Sequence, residues 1–277
     1  VVLCESPSYL GALNAFNAYQ PKFVEVPTDN GGLIPEELDK ILETTPNCKF
    51  IYVIPDFHNP TGRTWSMERR QKFMEVVNKH NLPVLEDNPY GELRYEGTIL
   101  PSLKSMDTKG LVMFLGTFSK IFCPGLRLGW IAAEHSLLSE FVKIKQSADL
   151  HTSNFDQGVA DAYMEQYDLD EHVKEIVALY KHRRDLILES MEKYFPAGTE
   201  WTHPEGGLFL WLTFPEGVSA RKVFNKCIEM KVSGVIGDAF YPNQKTDRSM
   251  RINFSNMPDD RIVEGIERMA KAIKECM

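Results

Sequence analysis

Short apolar runs alternate with longer helical patterns through the first half of this chain. The apolar runs are strand-sized and rich in β-branched and aromatic residues. They cover residues 1–4, 23–26, 50–54, 84–86, 111–115 and 128–132. Helical patterns begin between them near Tyr9, Pro35, Ser66 and Glu134. Because such alternation is typical of parallel strands joined by crossover helices, we predict an α/β fold with a mainly parallel sheet and helices on both faces.

The pattern changes in the second half of the chain. A long amphipathic stretch over residues 156–195 predicts a connecting long helix, and residues 196–277 predict a smaller α+β domain. Strand patterns in this domain cover residues 200–203, 208–214 and 250–254, and helical patterns cover residues 220–230 and the stretch from Pro258. We therefore expect three parts, of which the first is a large domain over residues 1–155.

The composition of the chain argues against several classes of protein. Its 31 Lys and Arg residues against 39 Asp and Glu residues give a net charge of −8, and no lysine-rich run could neutralise a nucleic-acid backbone. No apolar run approaches the roughly 20 residues of a membrane helix. The five cysteines form no C-x-x-C pair, and the seven histidines lack metal-ligand spacing. We expect no nucleic-acid, membrane or metal partner, and a cytoplasmic location.

Polar side chains follow three of the predicted strands, at the point where each strand ends. In an open parallel sheet these carboxyl ends meet at one edge, and ligands bind there. The side chains expected at this edge are those of Asn59, Asp87, Tyr90, Thr117, Ser119 and Lys120. They bring together an amide, a carboxylate, a phenol, two hydroxyls and an amine.

This set of groups suits pyridoxal phosphate. The carbonyl of that cofactor bonds to a lysine amine, its ring nitrogen pairs with a carboxylate, and its phosphate takes hydroxyls and an arginine. Lys120 and Asp87 offer the first two groups. Arg127 follows Lys120 in a glycine-containing turn, from which it could bind a phosphate bidentately.

Each of these residues also has a simpler explanation when it is considered alone. A lysine after a strand is usually a solvated surface charge. Asp87 and Asn59 could be ordinary turn residues beside a proline. Arg251 could form a surface ion pair with Asp247 or Asp259. The joint pattern, and not any single residue, favours a cofactor site.

Six motifs carry a resemblance to a known family, in that family's order and approximate spacing. They are Glu-Ser-Pro-Ser-Tyr at 5–9, Asn-Pro-Thr-Gly at 59–62, Asp-Asn-Pro-Tyr at 87–90, Thr-Phe-Ser-Lys at 117–120, Pro-Gly-Leu-Arg-Leu-Gly at 124–129 and Arg-Ile-Asn-Phe-Ser at 251–255. Over nearly its whole length the chain resembles the fold-type I, class I/II aminotransferases that use pyridoxal 5'-phosphate. Within them it is similar to the 2-aminoadipate and kynurenine aminotransferase subgroup.

The resemblance implies a role for each matching residue. Lys120 would bond to the cofactor and move a proton at the substrate Cα, with Asp87 and Tyr90 as the other catalytic residues. The implied cofactor-binding residues are Tyr9, Asn59, Asp87, Tyr90, Thr117, Ser119, Lys120 and Arg127. The implied substrate-binding residues are Asn59 and Arg251. Tyr9 would stack on the cofactor ring, and Arg251 would bind the substrate α-carboxylate from the smaller domain.

The resemblance also implies what the protein does and with what it assembles. It would transfer an amino group between an L-amino acid and a 2-oxo acid, as a homodimer. The large domain over residues 1–155 would hold the cofactor. Relatives carry a further N-terminal portion and this chain opens directly on a strand pattern without a methionine, so we expect an N-terminal portion of the family fold to be missing.

Two other functions fit the same motifs. The chain could be the aminotransferase-like domain of a winged-helix transcription regulator, although the segment at residues 5–12 resembles the free enzymes more closely. It could also be a lyase that uses pyridoxal phosphate on the same fold. Product analysis would distinguish the lyase, which releases ammonia or a thiol.

Overall fold

The computed structural model describes residues 1–243 and 246–277 of the chain. Its larger sheet is built from β1 (Val2–Ser6), β2 (Phe23–Asp29), β3 (Gly32–Leu33), β4 (Phe50–Val53), β5 (Val84–Asp87), β6 (Val112–Thr117) and β7 (Gly129–Ala132). Their order across the sheet is β3-β2-β1-β4-β5-β6-β7. Strands β2, β1, β4, β5 and β6 are parallel, whereas β3 and β7 are antiparallel to their neighbours. The predicted α/β fold with a mainly parallel sheet is confirmed.

Local sequence signals determine where the helices around this sheet begin. The helices are α1 (Leu10–Asn17), α2 (Pro35–Thr44), α3 (Met67–His80) and α4 (His135–Asp149). Helix α3 follows Ser66, whose hydroxyl accepts a hydrogen bond from the Arg69 N–H at 3.2 Å and so caps the first turn. Helix α2 begins with Pro35, and Glu36 and Glu37 follow it at the positive end of the helix dipole.

Apolar side chains of α2 and α3 pack on the parallel strands. Leu38 of α2 and Phe73 of α3 share one buried core with Leu3, Ile51 and Val84 of strands β1, β4 and β5. Because burial of apolar area is the main stabilising term, this core fixes the strands whose ends carry the polar residues of interest.

The predicted connecting helix over residues 156–195 is in fact two helices, α5 (Asn154–Gln166) and α6 (Leu169–Tyr194). Tyr167 ends α5 in an extended conformation. The carboxylate of Asp168 then accepts the N–H groups of Asp170 and Glu171, at 2.9 and 3.2 Å, and caps α6. The prediction of a single helix was wrong because amphipathic periodicity continues across this break, while the capping residue interrupts the backbone.

A smaller antiparallel sheet follows α6. Its strands are β8 (Glu200–Trp201), β9 (Phe209–Thr213), β10 (Val235–Ile236) and β11 (Ser249–Asn253), in the order β10-β11-β9-β8. Helices α7 (Ala220–Glu229) and α8 (Asp259–Cys276) pack with α6 around a second buried core. The predicted smaller α+β part is confirmed, whereas the division into residues 1–155, 156–195 and 196–277 stays a prediction.

A short segment after β5 joins the two sheets. Arg94 forms an isolated β-bridge with Gly206, and the hydroxyl of Tyr95 donates a hydrogen bond to the carbonyl of Gly207. The guanidinium of Arg184, from α6, lies over the Tyr95 ring at 5.6 Å. These contacts hold the smaller sheet beside the carboxyl-end edge of the larger one.

The described residues offer neither a membrane-spanning helix nor a cluster of metal ligands. Among residues 1–243 and 246–277, no helix combines the length and the apolar character that a membrane crossing requires. In the same part of the chain, no three His, Cys, Asp or Glu side chains lie close enough together to hold a metal ion. The cysteines have free thiols.

Candidate active site

Four parallel strands place several of the predicted site residues at one edge of the larger sheet. Asp87 is the last residue of β5 and Thr117 is the last residue of β6. Asn59 lies in the loop after β4, and Tyr9 lies between β1 and α1. Because β1, β4, β5 and β6 are neighbours and run in the same direction, their carboxyl ends meet as the sequence predicted.

Asn59 connects a residue of the larger sheet's edge with a residue of the smaller sheet. Its side-chain oxygen Oδ1 accepts a hydrogen bond from Nη1 of Arg251 at 2.8 Å, and its Nδ2 donates to the Tyr90 hydroxyl at 3.3 Å. Asn59 and Tyr90 are buried. Arg251 is part of β11, so the contact links two residues that are 192 positions apart.

The guanidinium of Arg251 lies in an aromatic setting. Its Cζ atom is 4.1 Å from the ring centre of Phe209 and 5.1 Å from that of Phe240. Burial lowers the pKa of Arg251, and the nearby phenols of Tyr90 and Tyr9 oppose part of that shift. A partly buried cation that is stacked between rings is well placed to attract an anionic group.

Arg251 forms no ion pair with Asp247 or Asp259, which were the surface partners that the sequence offered. Asp247 instead accepts the backbone N–H of Arg221 at 2.8 Å, and Asp259 pairs with His182 at 2.7 Å. Arg251 therefore faces the sheet edge and not a surface carboxylate.

Asp87 is held by a residue that the sequence analysis did not single out. The hydroxyl of Tyr52, in β4, donates a hydrogen bond to Oδ2 of Asp87 at 2.5 Å. Burial raises the pKa of Asp87, and the hydrogen bond from Tyr52 lowers it. The sequence alone does not indicate this role of Tyr52, because Tyr52 lies within a continuous apolar run. A tyrosine in such a run is expected to be an ordinary core residue.

The turn after β6 gathers two hydroxyls beside Lys120. Thr117 Oγ1 lies 3.0 Å from both Ser119 Oγ and the carbonyl oxygen of Leu128, and it accepts the Ser119 N–H at 3.1 Å. These bonds shape the turn that carries Lys120. They also place both hydroxyls where one anion could bind to the two of them.

Lys120 lies in a cationic environment. Burial lowers the pKa of its amine, and the positive charges of Arg127 and Arg251 lower it further. In the part of the chain that the structure describes, no carboxylate lies within ion-pair distance of Lys120. The amine is thus more readily deprotonated than a surface lysine and remains available for covalent chemistry.

Arg127 is the most exposed of the predicted site residues. Its backbone is in the left-handed region with φ of 56°, and its Nη1 donates to the carbonyl of Pro124 at 3.0 Å. The positive charge of Arg127 is one of the influences that lower the pKa of the Lys120 amine. Its guanidinium can therefore help to bind an anion that the hydroxyls of Thr117 and Ser119 also bind.

The ring of Tyr9 folds over the start of α1. A methyl group at Gly11 would lie 2.6 Å from Cζ of Tyr9, so a side chain at that position would displace the ring. Tyr9 is also close enough to influence the pKa of both Tyr90 and Arg251. The structure therefore brings Tyr9 to the site, and the position of its ring depends on the absence of a side chain at Gly11.

A buried polar layer supports the loop that carries Asn59. Nε2 of His58 lies 3.2 Å from Oε2 of Glu5, and its Nδ1 lies 2.9 Å from Oγ1 of Thr61. Oε1 of Glu5 also accepts a hydrogen bond from the Trp65 indole at 3.2 Å. The partners of Glu5 lie in the segment between β4 and α3, about 50 to 60 residues away in the chain, so local sequence does not reveal them.

The assembled groups meet the requirements of pyridoxal phosphate. A carboxylate, a phenol and an amide are available for the ring, and the unpaired amine of Lys120 is available for the carbonyl. Two hydroxyls and the Arg127 guanidinium are available for the phosphate.

Comparison with known proteins places this arrangement in a family. The model of the family "Aminotransferase class I and II" matches residues 1–269. The aromatic-amino-acid aminotransferase 1 of Thermococcus litoralis is 42% identical over 281 residues, which cover 100% of this chain and 67% of that protein. The 2-aminoadipate transaminase of Thermus thermophilus is 32% identical over 276 residues, which cover 99% of this chain and 69% of that protein. A crystal structure of the Pyrococcus horikoshii kynurenine aminotransferase, in complex with PMP, matches with a TM-score of 0.96 and 41% identity, and the match covers 99% of this chain and 69% of that one.

A regulator also matches, but less well. An uncharacterized HTH-type transcriptional regulator of Bacillus subtilis is 29% identical over 277 residues, and the chain covers 57% of its length. The enzymes above are more similar and are covered over a larger share, so the regulator alternative is not favoured.

Proposed function

This chain belongs to the class I and II aminotransferases, with pyridoxal phosphate as the cofactor, and we propose that Lys120, Asp87 and Tyr90 are its catalytic residues. When bound, the cofactor supplies a carbonyl that takes the amino group and a ring that accepts the electrons released at the substrate Cα. The observation that carries the proposal is the partly buried amine of Lys120, which has no carboxylate partner among residues 1–243 and 246–277 and lies beside the ring and phosphate partners.

Lys120 accepts the proton from the substrate Cα and returns it during amino transfer. Its pKa is lowered by burial and by the charges of Arg127 and Arg251, so a larger fraction of the amine is free of its proton near neutral pH. A base whose pKa is closer to the working pH transfers protons more efficiently.

Asp87, Tyr90 and Asn59 would hold the cofactor ring. The Asp87 carboxylate would pair with the ring nitrogen and keep a proton on it, because a negative charge there favours the protonated form. Tyr90 and Asn59, which are joined by a hydrogen bond of 3.3 Å, bind the ring oxygen. Tyr9 covers the ring face.

The phosphate and the substrate are held by separate groups. Thr117, Ser119 and Arg127 bind the phosphate with two hydroxyls and a guanidinium. Arg251 binds the substrate α-carboxylate and is oriented by the Nη1 hydrogen bond to Asn59 at 2.8 Å. The substrate-binding cation thus comes from the smaller sheet, and residues 1–155 supply the cofactor groups.

The amino-group donors and acceptors are an L-amino acid and a 2-oxo acid. Aromatic amino acids, kynurenine and 2-aminoadipate are the side-chain classes to test, because the relatives named above act on them. The enzyme works in the cytoplasm.

The enzyme assembles as a homodimer. Large apolar side chains are exposed along β7, α4 and α5, among them Trp130, Val142, Ile144 and Phe155. An apolar patch of this kind on a protein surface supports association. Sedimentation of the protein should show a dimer, and Phe155→Glu should shift it toward the monomer; a monomeric parent protein would refute this part of the proposal.

Amino transfer is tested directly with a panel of amino acids. Protein supplied with pyridoxal phosphate is incubated with each L-amino acid and 2-oxoglutarate, and the new amino acid is quantified. Lys120→Ala should lower turnover about a thousandfold or more, because acid–base and covalent catalysis are both lost. Lys222→Ala, which changes an exposed lysine of α7, is the control. Release of free ammonia in place of a new amino acid would instead indicate the lyase.

A further inference from the structure

A tyrosine hydroxyl reaches Asp87 from the centre of the larger sheet. Tyr52 is 1% exposed, and its hydroxyl lies 2.5 Å from Oδ2 of Asp87. Strands β4 and β5 pair in parallel with Tyr52 opposite Leu85, and Asp87 is two residues beyond Leu85. Since residues two apart in a strand face the same side, the sheet register itself directs both side chains to one face.

The ring of Tyr52 is held in place by aromatic packing. Phe16, from α1, meets the Tyr52 ring edge-on at 5.6 Å and the Phe50 ring at 5.2 Å. Among the described residues, Asp87 is the only hydrogen-bond partner of the Tyr52 hydroxyl. A phenylalanine would fill the same space, so the packing does not require the hydroxyl.

We propose that Tyr52 is a positioning residue for Asp87, which fixes the carboxylate through Oδ2 and leaves Oδ1 for the cofactor ring nitrogen. The described residues show no donor on Oδ1. This inference rests on the role proposed above for Asp87. A hydrogen bond to an ionised acceptor is short and strong, and here it also favours the charged form of the acid.

The ionisation of Asp87 depends on the Tyr52 hydroxyl. Burial raises the pKa of Asp87, and the hydrogen bond from Tyr52 is the influence that lowers it. Burial and the negative charges of Asp87 and Glu5, from β1, raise the pKa of Tyr52, so its hydroxyl stays protonated and continues to donate. Tyr90, from the loop after β5, is the other titratable group that faces the pair.

Removal of the hydroxyl should weaken cofactor binding and change its pH dependence. In Tyr52→Phe the pKa of Asp87 should rise. Asp87 should therefore become protonated at a higher pH than in the parent protein. We expect the dissociation constant of pyridoxal phosphate, measured by equilibrium dialysis, to increase about tenfold. The acid limb, which is the loss of cofactor binding on acidification, should lie about one pH unit higher. kcat should fall while KM for the amino acid changes less.

Two variants make this test specific. Tyr95→Phe removes another tyrosine hydroxyl that is hydrogen-bonded, to the carbonyl of Gly207, and it should leave the acid limb in place. Incorporation of 3-fluorotyrosine at position 52 keeps the hydroxyl and makes it a stronger donor, so the acid limb should move to lower pH. The fluorinated protein also keeps the test valid should Tyr52→Phe fold poorly.

The outcomes separate this inference from the proposed function. Adding Tyr52→Phe to Asp87→Asn should cause little further loss, because the partner carboxylate is already absent. If Asp87→Asn is impaired while Tyr52→Phe and the fluorinated protein behave like the parent, Tyr52 has no positioning role and the proposed function stands. If Asp87→Asn itself behaves like the parent, both the role of Asp87 and the role of Tyr52 are overturned.

Discussion

The two ends of the candidate site are built differently. At the ring end, Asp87, Tyr90 and Asn59 each have a hydrogen-bond partner that the fold supplies from another element, and Asn59 and Tyr90 are buried. At the phosphate end, Thr117 and Ser119 contact each other within one turn.

The Arg127 side chain at the phosphate end is exposed. The ring end therefore depends on contacts between distant elements, and the phosphate end on one turn together with the nearby Leu128 carbonyl, which lies 3.0 Å from Thr117 Oγ1. Under the proposed function, the ring end would be preorganised for chemistry, where small displacements are costly, and the phosphate end would anchor a charged group in a more solvated setting.

The largest effect in this comparison should come from Asp87→Asn. The amide can still form hydrogen bonds, but it lacks the charge that keeps a proton on the ring nitrogen, so turnover should fall about a hundredfold or more. Cofactor affinity should change much less. Single-turnover rates and the dissociation constant of the cofactor, measured on the same protein, test this; equal losses in both would remove the distinction between anchoring and chemistry.

A smaller effect is expected for Arg251→Lys. Lysine keeps the positive charge but cannot bind a carboxylate bidentately or stack between Phe209 and Phe240 as a planar group. KM for the amino acid should rise about tenfold or more, with a smaller change in kcat. Arg261→Lys, at an exposed position in α8, is the matched control, and an unchanged KM in Arg251→Lys would place the substrate carboxylate elsewhere.

Arg127→Ala should have a weaker effect because the side chain is solvated. Its loss should raise the dissociation constant of pyridoxal phosphate by about tenfold at most, since exposed charge interactions are worth little. Turnover at saturating cofactor should remain near that of the parent. A large loss of saturated turnover would show that the phosphate end is as preorganised as the ring end.

Glu86→Gln, at the position before Asp87, should have the smallest effect on turnover. Its main effect should be on how stability depends on pH. Burial raises the pKa of the Glu86 carboxyl from 4.5 to about 7, although the N–H groups of Leu103 and Lys104 donate to it. The folded chain thus binds this proton more tightly than the unfolded chain does. This contribution to stability is present at low pH and is lost as pH rises from 4.5 through about 7, by up to about 3 kcal/mol.

Denaturant unfolding across that pH window tests the sign of the Glu86 effect. In Glu86→Gln the residue cannot titrate, so the stability of the parent relative to the variant should fall as pH rises. Glu165→Gln, at an exposed position of α5, controls for the change of one charge. Parallel pH profiles for the parent and Glu86→Gln would contradict the raised pKa.

Much of the framework could be predicted from residues that are close in the chain. The predicted start of α2 at Pro35 coincides with the observed one, because helix entry depends on adjacent residues. The break at Asp168 was missed, since an amphipathic pattern does not register a single capping side chain. The antiparallel direction of β7 was not foreseen either, because strand direction depends on how the connection folds back.

The sequence by itself determined which chemical groups this protein can bring to the end of each strand. Lys120, Asp87 and Asn59 follow apolar runs whose periodicity is local, and strand order then follows from short crossover connections. The tertiary structure decided which atoms meet. The contact between Arg251 and Asn59 spans 192 residues, and the one between Tyr52 and Asp87 depends on the register of two strands. Such contacts follow from three-dimensional packing, which no pattern of neighbouring residues encodes, because a shift of one residue would turn Tyr52 to the opposite face.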